Sequence, residues 1–167
     1  MPEPLEEQGL VAVIEMLKGM TGMRPWGGTY PNAPRVQRDL PLSLASIGQC
    51  PLLVATMAVD GSGYDLGEDV AGMVTVGGAV GYKNVFAFDV IGYVQGTEEA
   101  ADTWCLRLRK DVLDTLCARA EALPNIPQCR SLWPIGSTEF DPGILDEYHR
   151  AFRQGYVLIF DEVMPLA

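Results

Sequence analysis

The most constraining stretch of this chain is a strand that runs straight into a helix. From Val85 to Val94 the apolar residues Phe86, Phe88, Val90 and Val94 share one face by a period of two, and Asp89 falls on the other. Beyond Gln95 and Gly96 the period changes to that of a helix. Thr97 is a good N-cap, and Glu98 and Glu99 complement the helix dipole. Ala101, Trp104, Leu108, Val112, Leu116 and Ala120 form one stripe, with Arg107, Arg109, Lys110 and Glu121 on the wet side. The helix is expected to run to about Leu123, where Pro124 closes it. A long amphipathic helix delivered by a strand needs a sheet to cover.

The remaining segments supply that sheet. Residues 5–21 predict a helix, with Leu10, Val13, Ile14 and Leu17 at helical spacing, Glu6 and Glu7 early and Gly22 as a stop. Residues 24–50 read as an irregular arm punctuated by Pro25, Gly27, Gly28, Pro31, Pro34 and Pro41. Pro51 to Val59 is apolar nearly throughout, a strand buried on both faces. Asp60-Gly61-Ser62-Gly63 marks a turn, and Val70 to Val76 a second strand. The region from about 60 to 83 reads as glycine-rich and loop-like. Arg130 to Phe140 predicts an edge strand, since Pro134 interrupts it. Ile144 to Ala151 is ambiguous between a helical turn and a connector, and Gly155 to Val163 closes the fold as a strand. The expected class is α+β: a single domain over residues 1–167. Its sheet is mostly antiparallel or mixed, of about four or five strands, with the N-terminal and long central helices on one face.

Charge and cysteine content narrow the function. The 167 residues suit one domain. The formal charge is −10, which opposes binding to polyphosphate or to an anionic membrane surface, so a protein partner is the better expectation. No apolar run approaches the roughly 20 residues of a membrane span. No secretory leader is visible, and Cys50, Cys105, Cys117 and Cys129 are expected to be reduced, as in cytosol.

Catalytic patterns are weak. His149, the one histidine, lies in the charged stretch Asp146-Glu147-Tyr148-His149-Arg150 and reads as solvated. No nucleophile elbow and no CxxC pair occurs. Asp89 is unusual inside a strand, and is expected to face solvent or pair with an arginine. Asp60 to Asp69 concentrates oxygen ligands but lacks EF-hand spacing. Gly77 to Gly81 is not followed by a helix, as a phosphate cradle requires. We therefore expect no catalytic, metal-binding or cofactor-binding residues. The candidate contact residues are Arg24, Arg35 and Arg38 on the basic arm and Asp60, Asp65, Glu68 and Asp69 on the acidic loop. Tyr64 and Tyr82, with Lys83, are candidate anchors.

Taken together, these segments resemble the tail terminator, or tail-completion, family of long-tailed bacteriophages, typified by minor tail protein U. The likeness rests on the opening helix, the proline-rich passage into Leu52-Leu53-Val54, and the strand Asn84 to Val94 entering the helix at Thr97. Ser137-Thr138-Glu139-Phe140-Asp141 and the closing strand Gly155 to Phe160 complete it. The resemblance implies a small domain of sheet and helices and a structural, non-enzymatic role in the virion, assembled in the host cytoplasm. Subunits would form a ring, usually hexameric, that caps the tail tube, stops its polymerisation and offers a surface to the head connector. The implied partners are further copies of the chain, the tail tube protein and a head-completion or connector protein. Two other readings stand beside it: a head-closure or neck connector, and a small cytosolic enzyme using acidic residues.

Overall fold

A computed structural model describes residues 3–20, 34–58, 73–76, 79–96, 98–117, 126, 128–141 and 149–163. Its first helix, α1 (Leu5–Lys18), buries Leu10, Val13, Ile14 and Leu17, the stripe expected from their spacing. It stops earlier than expected, where the Gly19 N–H turns back to the carbonyls of Glu15 and Met16 at 3.3 and 3.2 Å. The strands are β1 (Arg35–Gln37), β2 (Leu52–Met57), β3 (Met73–Val76), β4 (Ala79–Gln95), β5 (Cys129–Phe140) and β6 (His149–Val163). A four-residue helix, α2 (Leu44–Ile47), lies between β1 and β2, and the long helix α3 (Glu98–Cys117) follows β4. The described part of the expected irregular arm, residues 34–50, instead holds a short strand and a four-residue helix. Residues 118–125, where the end of the long helix was expected, and Thr97 lie outside the described residues.

The strand order is β1-β2-β4-β6-β5, with β3 pairing β4 beside this path. β1 and β2 run parallel and every other pair is antiparallel. The chain is therefore an α+β domain built on a mixed, mostly antiparallel sheet. Both faces of the sheet are apolar. Leu53, Ala55, Phe88, Val90, Val94, Phe152, Tyr156, Leu158 and Phe160 form one core with residues of α1 and α3. Leu52, Val54, Ile91, Tyr93 and Ala151 form a second cluster with Ile47 of α2 and Cys50. The continuous apolar run in β2 follows from this, because alternate residues enter different clusters.

Two glycines let the helices approach the sheet. A Cβ at Gly9 of α1 would lie 2.8 Å from Leu158 Cδ1 and Phe160 Cζ. A Cβ at Gly92 of β4 would collide with the Phe152 ring and stand 3.0 Å from Leu108 Cδ2 of α3. Phe88 and Tyr156, opposite each other in register, stack with centroids 5.6 Å apart.

Further expectations need correction. β4 begins at Ala79, so residues 79–83 are not loop: 79–82 pair with β3 and 81–83 with the end of β6. The buried stripe of α3 is Ala101, Cys105, Leu108, Val112 and Leu116, while Trp104 is only partly buried at its flank. β6 begins at His149, which is buried at 8% exposure, so this histidine does not belong to a solvated stretch.

Candidate functional site

At the β1 edge the arm is tied down. Arg35 donates from Nε to the Gln49 carbonyl at 2.8 Å and from Nη2 to the Ile47 carbonyl. Ile47 closes α2 and Gln49 lies just past it, so the guanidinium satisfies carbonyls at the open end of the short helix. Ser43 and Ser46 form a reciprocal cap: Ser43 N–H donates to Ser46 Oγ at 2.9 Å, and Ser46 N–H donates to Ser43 Oγ at 3.3 Å. Arg38 reaches Glu7 of α1 at 3.7 Å, with both side chains well exposed. Gln37 Nε2 donates to the Asp39 carbonyl at 2.6 Å. Between these ties stand Leu40 and Leu42, 41% and 99% exposed.

At the β5 edge the chain forms a cleft of about 310 Å³ lined by Asp102, Cys105, Leu106, Phe140 and Arg150. Leu106 and Phe140 are 56% and 44% exposed at its mouth. Arg150 grips Asp141 with a fork, Nε to Oδ1 at 2.9 Å and Nη2 to Oδ2 at 2.8 Å. Its Nη1 also bonds Asp102 Oδ1, so one guanidinium joins the start of β6, the end of β5 and the first turns of α3. Asp141 takes a positive φ of 53°, which aspartate tolerates better than most residues. Its Oδ1 accepts from the Ala151 N–H at 3.1 Å.

Behind the cleft, the register of β5 against β6 shifts between Ile135 and Glu139. Gln154, 4% exposed, answers this irregularity. Its Nε2 donates to the carbonyls of Ile135 and Gly155, both at 3.0 Å. Its Oε1 accepts from Thr138 Oγ1 at 2.5 Å, and Thr138 Oγ1 accepts from Arg109 Nε at 2.6 Å. Arg109 was read as solvated, yet it clamps α3 to β5.

The ionisable groups of this cleft are either paired or held protonated. Burial first, then the carboxylates of Asp141 and Asp102, push the Cys105 thiol up to about 12 against the pull of Arg150. A thiol so raised is protonated near neutral pH and is a poor nucleophile. Asp102 and Asp141 are both held by Arg150. What remains for a ligand is an apolar mouth beside a fixed ion pair. Among the described residues, no group of three or more His, Cys, Asp and Glu side chains could hold a metal ion.

The structure places the expected contact residues unevenly. Arg35 and Arg38 lie together at the β1 edge, Arg35 turned inward onto carbonyls and Arg38 toward α1. Tyr82 and Lys83 sit in β4 opposite Glu162 and Asp161, and their side chains are outside the described set. Arg24, Asp60, Tyr64, Asp65, Glu68 and Asp69 lie outside the described residues. Asp89 does not face solvent: it is 1% exposed, in register with Thr56 and Gly155. The cleft residues were missed, although one signal was legible. Leu106 is apolar on the face of α3 that carries charge. Among the described residues, no helix is long and apolar enough to cross a membrane. A scan against models of protein families finds no match, and no curated protein matches the chain.

Proposed function

We propose that this chain is a tail terminator: a non-enzymatic virion protein whose copies close into a ring, hexameric by the resemblance, on the end of a phage tail tube. The observation that carries the reading is the passage of β4 into α3 across residues 96 and 97, with α1 and α3 in one core against a mixed sheet. This is the arrangement the resemblance implies. The two unlike edges of the sheet support it further. A ring needs a heterologous contact, in which each subunit offers two different surfaces. The acidic balance suits a passage for DNA, because like charge prevents sticking.

The test is native mass spectrometry from low micromolar to near millimolar chain, followed by electron microscopy of the protein mixed with purified tail tubes. The expected result is a closed ring species, six copies by the resemblance, that decorates tube ends. A strict monomer or dimer that leaves tube ends bare would overturn the proposal. A ring that ignores tubes but binds a portal or adaptor would replace it with the neck-connector reading.

A further inference from the structure

Both faces of the sheet are apolar, but they are covered unequally. The main core lies under the buried stripes of α1 and α3. Among the described residues, the second cluster of Leu52, Val54, Ile91, Tyr93 and Ala151 takes its cover from Ile47 and Cys50. These two are also the only buried side chains described between residues 35 and 50. The polar bonds of this segment are largely internal to it. Arg35 binds the Ile47 and Gln49 carbonyls, Gln37 binds the Asp39 carbonyl, and Ser43 and Ser46 cap each other. Such bonds give the segment a shape without fastening it to the sheet. Its described ties to the rest of the fold are slight. They are the three residues of β1 on β2, the Arg35 N–H on the Pro51 carbonyl at 3.0 Å, partly buried Val36, and the exposed Arg38–Glu7 pair.

We infer that residues 35–50 form a strap that lifts from the sheet as a unit and uncovers the face of Leu52, Val54, Ile91, Tyr93 and Ala151 while the main core stays closed. A segment with few buried apolar contacts and solvent-facing bonds opens at lower cost than the whole fold. The main core survives the opening, because Val36 is the one residue of the segment that packs against it. The strap keeps its internal bonds as it lifts, so it moves as a piece rather than melting residue by residue. Opening turns a hidden apolar face into an accessible one and brings the Cys50 thiol to solvent. The strap is a property of the single chain and does not depend on the ring reading.

The experiment uses the full chain in a urea series that ends below the unfolding transition. Hydrogen exchange is read at the Arg35 amide and at the amides of β4 and β6. In parallel, N-ethylmaleimide labelling of Cys50 is read by peptide mass spectrometry. The Arg35 amide and the Cys50 thiol are expected to open at least about tenfold more often than β4 and β6. Their rates should also rise less steeply with urea, since a strap exposes less surface than the whole chain. Ile47→Ala removes the buried anchor and is expected to speed Cys50 labelling about tenfold or more. Gln154→Ala weakens the main core, so exchange in β4 and β6 is expected to rise about tenfold or more. Cys50 labelling should then stay within about twofold of wild type, because the open form keeps that core. Circular dichroism checks each variant, and the wild-type urea slopes carry the test where a variant fails to fold. Equal rates and slopes at the strap and at β4 and β6 would overturn the inference, because the segment then leaves only with the whole fold. Cys50 labelling that Gln154→Ala speeds as much as core exchange overturns it for the same reason. A labelling rate indifferent to both urea and Ile47→Ala overturns it too, since the reagent then reaches Cys50 with nothing lifting.

Discussion

The two edges of the sheet solve one problem by different means. β1 is three residues long, lies parallel to β2, and takes its order from an arginine that reaches the carbonyls of Ile47, at the end of α2, and of Gln49 just past it. β5 is twelve residues long and antiparallel to β6, and its irregular stretch is held by buried Gln154 and by Arg109 from α3. An open edge invites unwanted pairing, and shortness at one side and bulging at the other both discourage it. The lesson is that local irregularity here is braced by polar side chains. The β5 brace is buried and linked to a helix, whereas the β1 brace is largely exposed. The two edges should therefore respond differently to perturbation.

The sharpest way to break the β5 edge is Gln154→Ala. It leaves the Ile135 carbonyl without its side-chain donor and removes packing from the core, so a loss of about 2–3 kcal/mol is expected. Urea unfolding measures it, and a shift below about 0.5 kcal/mol would mean the irregular strand does not depend on this side chain. Arg35→Ala at the β1 edge is expected to cost less, about 1–2 kcal/mol, since water can replace part of what it gives. Hydrogen exchange should show the effect confined to residues 35–50. Protection lost across β4 and β6 as well would refute a local brace.

Alkaline pH sharpens the contrast further. Cys105 behind the cleft ordinarily ionises near 9.0, and burial raises it to about 12 in the folded chain. Cys117 is raised to about 11, again mainly by burial. Both groups stay protonated when folded, so the unfolded chain releases protons first as pH rises. Stability is therefore full below about pH 9 and declines as pH climbs toward 11 and 12. Cys105→Ala should flatten this decline, and an equally steep slope in that variant would show that other groups cause it. The smallest effect belongs to Arg38→Ala. Its exposed pair with Glu7 spans 3.7 Å, and a change within about 0.5 kcal/mol is expected. A larger loss that persists in high salt would show that Arg38 holds α1 by more than charge.

Much of this fold was legible in the residues. The stripe of α1, the apolar run of β2 and the alternation around Phe86 to Val94 each marked their element, because burial demands apolar residues at the period of that element. The proline in β5 marked an edge. The early part of β4 was hidden, because Gly77, Gly78 and Gly81 read as loop. Pairing to β3 and β6 overrides the weak propensity of glycine at Gly81. His149 was hidden in the same way, since its charged neighbours suggested solvent while the ladder opposite Gln95 buries it. Less of the candidate site was visible. Leu106 stood out on a charged helix face, but nothing near Asp102, Phe140, Asp141 or Arg150 announced that they meet.

The sequence by itself determined the helical stripe of α1, the apolar run of β2, the alternation from Phe86 to Val94, the long helix that follows it and the proline-marked edge strand, and that the product is an acidic α+β chain. Those properties follow from near neighbours and from the periods of regular structure. Only the tertiary structure decided the strand order, the two edges, the burial of Asp89 and the joining of Arg150 to Asp102 forty-eight positions away. Such meetings depend on contacts between residues distant in sequence, and no local pattern of charge or hydrophobicity encodes them.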